Sequence, residues 1–236
     1  MNFATLEHIF NQLSFDLPAF LLVILIHEYS HVAVARKLSG PEETENLKFK
    51  PLSHLDLFGT LLPVCLVISG FPFIFGWGKR IEFALAPTQG RSSKIVFAFA
   101  GMIANVILFL ISGLLISAIP ATDSLFHLAS TTTGVFVYTL LFRLFSISLG
   151  IFLINFLPIP PFDGGYLLFS LLPEKFKKWQ EKLQILGLLI VVTLVVTGVA
   201  AKIFFVPYKM LTEMLCGGFS AYVLQPGSLA IDFLQR

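Results

Sequence analysis

The run Leu25-Ile26-His27-Glu28-Tyr29-Ser30-His31 carries three side chains that can act together if the segment is helical. Positions i and i+4 lie on one helix face, so His27 and His31 can direct two imidazoles at one metal ion. Glu28 sits beside them, where a carboxylate can take a proton from water. A metal held there lowers the pKa of its water towards neutrality and polarises a carbonyl. Glu28 can then serve as general base and pass the proton to a leaving amine. Placement argues against coincidence: two His and one Glu inside an apolar helix are costly unless they face a cavity and bind something.

This H-E-x-x-H spacing is the ligand-and-base arrangement of zinc peptidases. Such a site needs a third protein ligand and an open position. The run Asn155-Phe-Leu-Pro158-Ile-Pro160-Pro161-Phe-Asp163-Gly164-Gly165 offers one. Its prolines end a helix, and its glycines permit a sharp turn or a close backbone approach. Asp163 therefore reads as a carboxylate at a broken helix end, either a metal ligand or the N-cap of the next helix. Asn155, with two amide donors and an acceptor, can hold a substrate strand or an oxyanion. It can equally cap carbonyls that the downstream prolines leave without partners.

Apolar residues make up 56% of the 236 and charged ones 13%, with 26 phenylalanines, and the mean hydropathy is +0.85. A soluble domain so composed has no polar face for water, so the chain reads as an all-α integral membrane protein. Four segments suit spanning, at about 16–38, 93–119, 133–157 and 183–205. A fifth apolar run, 57–77, is interrupted by Pro63, Gly70 and Pro72. Four to five spanning helices are thus expected, with 57–77 broken or re-entrant. Basic residues favour the hairpin. They crowd segments 36–56, 78–94 and 158–182 and are missing from 1–15 and 120–132, so a hairpin puts all basic segments on the cytoplasmic side. Backbone broken at membrane depth is tolerated where protein buries it. A full fifth span is the alternative. Phe176, Trp179 and Leu183 among lysines suggest a helix lying on the inner surface. The stretch after Pro207 suggests no particular element. A cleaved signal peptide is not expected, because residues 1–16 lack Lys and Arg. One polytopic domain over 1–236 is expected. The net charge of +2 is too small to suggest a nucleic-acid partner, and Cys65 and Cys216 form no metal-ligand spacing.

The HEYSH run in the first span and the later NFLPIPPFDGG together resemble the site-2 protease family of intramembrane metalloproteases, in its compact bacterial branch. The resemblance covers about residues 16–185. It implies one zinc ion per chain, with His27, His31 and Asp163 as ligands, Glu28 as catalytic base, and Asn155 in contact with substrate or transition state. It also implies single-span membrane-protein substrates already trimmed by another protease. Ala100-Gly101-Met102-Ile103-Ala104-Asn105 is similar to the family's A-G-P-x-A-N motif, with Met102 in place of Pro, so only a helix-packing role carries over. His54-Leu55-Asp56-Leu57-Phe58-Gly59-Thr60 is similar to H-L-D-P-x-G-T, again without the Pro.

Other polar residues have plain readings. His54 and Asp56 suit either an active-site entrance or an ordinary loop. Arg143, within the third good span, is expected to snorkel to the outer surface. His27 lies about 16 Å along its helix from the inner end, and Asp163 follows the inner end of its span. The site is therefore expected towards the cytoplasmic side of a multi-pass protein of the bacterial cytoplasmic membrane. A non-catalytic zinc scaffold or metal transporter is the alternative, and Glu28 argues against it because binding alone needs no base.

Overall fold

The computed structural model describes residues 3–39, 56–68, 74, 76–78, 90–118 and 131–216. Among them the chain is all-α. Its elements are α1 (Phe3–Leu38), α2 (Leu57–Ile68), α3 (Arg91–Ala118), α4 (Thr132–Asn155), α5 (Asp163–Leu171), a 3-10 turn (Glu174–Phe176), α6 (Lys177–Val196) and α7 (Val199–Cys216). Three of the described helices are long and apolar enough to cross a bilayer: Gln12–Leu38, Arg91–Ala118 and Thr133–Asn155. The chain is an integral membrane protein of the expected helical class.

The expected span over 183–205 is divided. α6 stops at Val196, Gly198 takes a φ of 72°, and α7 begins at Val199. Only glycine enters that left-handed region without steric cost, and an average hydropathy passes over the break. The apolar part of α6 is Lys182–Leu194, shorter than a span. The expected surface helix over 174–183 is formed by the 3-10 turn and the start of α6. α7 belongs to the bundle. Tyr208 is buried with Phe109, Phe145 and Leu149, and its hydroxyl lies 2.9 Å from Ser146 Oγ.

α3 is the hub, in contact with α1, α4, α5 and α7. Its buried stripe includes Ala98, Gly101, Asn105, Phe109, Ser112 and Ile116, while Ile103, Ile107, Ile111 and Leu114 face outward. That polarity is inverted relative to a soluble helix: small and polar groups point inward and aliphatic groups meet lipid. Between apolar helices in lipid, association rests on close packing, which small residues permit. Gly113 shows this, since a Cβ there would come within 3.2 Å of the Phe145 ring.

The run 57–77 doubles back. Asp56 Oδ1 accepts from Gly59 N at 2.7 Å and caps α2, so Asp56 is a helix cap. A Cβ on Gly59 would overlap the Trp77 carbonyl, and one on Gly76 would overlap the Gly59 carbonyl. The chain therefore returns at residues 76–77 to the point where α2 began. This is the geometry of a hairpin, whereas a full span would carry its two ends apart. Leu66 of α2 packs with Ile154, Phe162 and Val191, and Trp77 packs against that cluster. His54 lies outside the described residues.

Arg143 does not snorkel. It is buried, and its Nε lies 3.1 Å from Asp16 Oδ1 on α1. A guanidinium about 12 residues from the end of α4 is too deep to reach water at little cost. An acidic partner at matching depth on the neighbouring helix meets it instead.

Candidate metal centre

α1 carries His27 and His31 one turn apart, and both side chains turn inward to the start of α5. His27 Nε2 is 3.1 Å and His31 Nε2 is 3.2 Å from the same oxygen, Oδ2 of Asp163. The two Nε2 atoms are 3.3 Å apart. All three residues are more than nine-tenths buried, as is Glu28. Asp163 reaches the cluster because α4 ends at Asn155 and the proline-rich turn starts α5 at Asp163 itself. The N-cap of α5 is Phe162, without a side-chain bond, so Asp163 does not act as the cap.

The donor set fits zinc. Tetrahedral bonds of about 2.0–2.1 Å place neighbouring ligand atoms about 3.3–3.4 Å apart, close to the separations found here. Proton bookkeeping points the same way. His31 Nδ1 lies 3.0 Å from the Phe97 carbonyl, which can only accept, so Nδ1 holds the proton. In the neutral ring Nε2 then directs a lone pair at a carboxylate oxygen and a second imidazole, an arrangement that a cation relieves. The space is also kept clear. A Cβ on Gly101 would lie 2.5 Å from His27 Nε2 and 2.6 Å from His31 Nε2, filling the cradle. Among the described residues, His27, His31 and Asp163 are the group of potential metal ligands that converges.

The returning chain closes over Glu28. A Cβ on Gly78 would lie 2.7 Å from Glu28 Oε1, so the returning backbone rests against that carboxylate. Asn155 stands at the end of α4, and its Nδ2 donates to the Ile151 carbonyl at 3.0 Å. That carbonyl is not one the prolines leave bare. Pro158 cannot serve Ile154, whose carbonyl takes Leu157 N, and Pro161 cannot serve Leu157, whose carbonyl takes Ile159 N. Asn155 therefore makes a local bond within its own helix turn.

Two residues read from sequence as packing, or not singled out, belong to the site. Gly101 faces both imidazoles, and the Asn105 amide, fully buried, lies 3.0 Å from His27 Nδ1. Phe97, Gly101 and Asn105 follow one another at steps of four along α3, so they form one stripe. The available signal was the lone Asn four residues after a Gly in an apolar span.

The sequence model described as Peptidase family M50 matches residues 16–198. YwhC of Bacillus subtilis (strain 168), a candidate zinc metalloprotease by its name, is 28% identical over 226 residues, covering 89% of this chain and 95% of the relative. No solved structure matches.

Proposed function

The chain belongs to Peptidase family M50, the site-2-type membrane metalloproteases, and from that premise we propose that it hydrolyses peptide bonds in or near the transmembrane segments of other membrane proteins. The observation that carries this reading is the convergence of His27, His31 and Asp163, beside Glu28, in the interior of a bundle long enough to span a bilayer.

His27, His31 and Asp163 hold one zinc ion in this reading. When bound, zinc supplies Lewis acidity to a peptide carbonyl and to water. Glu28 takes the proton of the attacking water on its carboxylate and delivers it to the leaving amine, so the pair of steps consumes one water and no other reagent. A helical substrate hides its peptide bonds in its own hydrogen bonds and must unwind first. The backbone at Gly78, lying against Glu28, receives an extended strand through main-chain hydrogen bonds in this reading. Asn155 gives up its bond to Ile151 and donates instead to the substrate strand or the developing oxyanion.

Substrates in this proposal are single-span proteins already shortened by another protease, as the resemblance to the site-2 proteases implies. The site faces the cytoplasmic side of a bacterial cytoplasmic membrane, reached from the end of the bundle where α1 and α4 finish. The functional core is residues 16–185 of one polytopic domain. Metal content of purified variants tests the ligand set. His27→Ala, His31→Ala and Asp163→Ala each lose zinc, and Glu28→Gln keeps it. Full occupancy in Asp163→Ala would remove Asp163 from the ligands.

A further inference from the structure

We propose that Asn105 is a positioning residue that fixes the metal-binding tautomer of His27, its side-chain carbonyl oxygen accepting from the His27 Nδ1–H. The proposal rests on the zinc reading above and extends it to α3.

As placed, Asn105 Nδ2 lies 3.0 Å from His27 Nδ1, while Oδ1 is buried without a hydrogen-bond partner. The oxygen and nitrogen of an amide exchange places by a half-turn of the same side chain in the same volume, and the surrounding network decides between them. His27 supplies the decision. Its Nε2 points at Asp163 and His31, so a ligand lone pair must sit on Nε2. A neutral imidazole then carries its proton on Nδ1. An NH2 group facing that N–H sets donor against donor. The half-turn converts this contact into a hydrogen bond, and the number of amide ends lacking a partner does not rise.

The stripe on α3 gives the same answer for both rings. The Nε2 atoms converge, so the Nδ1 atoms diverge. Their partners, the Phe97 carbonyl for His31 and Asn105 for His27, stand two turns apart on α3. Gly101 lies between them, opposite the point of convergence. Phe97 presents a carbonyl oxygen. By the same logic Asn105 presents one too. Outer partners of this kind hold a ligand ring in orientation and raise its basicity.

Zinc affinity measured by competition with a chromophoric chelator tests this on the purified full-length chain in detergent, alongside thermal melting of the metal-free protein. Asn105→Leu removes the acceptor at similar volume, and zinc binding weakens by about 10–100-fold while the metal-free melting temperature holds. Asn105→Asp has acceptors and no donors, and it binds zinc within about threefold of the parent. Unchanged affinity in Asn105→Leu overturns the proposal. So does a loss in Asn105→Asp as large as that in Asn105→Leu, because it means the amide served as donor. If Asn105→Leu fails to fold, Asn105→Asp alone decides. A parent protein that takes up no zinc sensitive to His31→Ala defeats the metal reading itself, an outcome separate from both.

Discussion

Adding one methyl at Gly101 should weaken metal binding without unfolding the protein. The Cβ would lie 2.5 Å from His27 Nε2 and 2.6 Å from His31 Nε2. Comfortable contact with a carbon needs about 3.5 Å, so each imidazole must retreat by about 1 Å. Metal–ligand bonds tolerate about 0.2 Å. Without metal the rings can swing aside, and with metal they cannot, so the cost falls on binding. Overpacking of this size is worth about 1–3 kcal/mol, which is a zinc affinity lower by about 5–150-fold. Gly150→Ala on α4 is the control, because a Cβ there meets nothing within 4 Å, and it should be neutral or stabilise the helix by about 1 kcal/mol. Chelator competition and thermal melting of both variants make the comparison. Gly101→Ala with parental zinc affinity would refute the close approach of α3 to the two histidines.

Asn155→Asp should be folded, zinc-loaded and nearly inactive, since it keeps the shape but sets negative charge against developing negative charge; loss of one such donor costs about 3–4 kcal/mol of transition-state stabilisation, and near-normal turnover would leave Asn155 with only its local bond to Ile151. Single-cysteine probes at Leu57 and Gly90, in a background lacking Cys65 and Cys216, should label from the same side of the membrane, whereas opposite labelling would require 57–77 to cross. Arg143→Met alone should destabilise by about 3–5 kcal/mol by leaving Asp16 buried without its partner. The double variant Asp16→Leu with Arg143→Met should recover most of that loss, and a further drop in its melting temperature would show that the pair does not couple α1 to α4.

The residues closest to the chemistry were legible because their spacing is local. His27 and His31 share a helix face by chain geometry alone, and the prolines and glycines around Asp163 announce a broken helix wherever they occur. The class of fold was legible too, since hydropathy needs no tertiary contact. What stayed hidden depends on which helix lies beside which. Asn105 touches His27 only because α3 packs on α1 in one register, and nothing in the α3 sequence states that register. Gly101 read as a packing glycine, and its neighbours proved to be the His27 and His31 imidazoles. Arg143 looked like a snorkelling side chain until Asp16, 127 positions earlier, stood opposite it. Gly198 broke an apolar run because one residue's φ changes the chain direction while leaving the average hydropathy intact.

The central claim is that Glu28, beside a His27–His31–Asp163 metal centre, drives hydrolysis within the membrane. Cleavage of a single-span membrane protein by the purified chain in lipid vesicles, measured for the parent and for Glu28→Gln with zinc content determined on the same samples, tests it most directly. The parent should cut within or at the edge of the substrate's span, lose activity to a chelator and regain it with zinc, while Glu28→Gln should hold zinc and cut nothing. Cleavage by zinc-loaded Glu28→Gln at the parental rate, or parental cleavage that survives removal of the metal, would contradict the account.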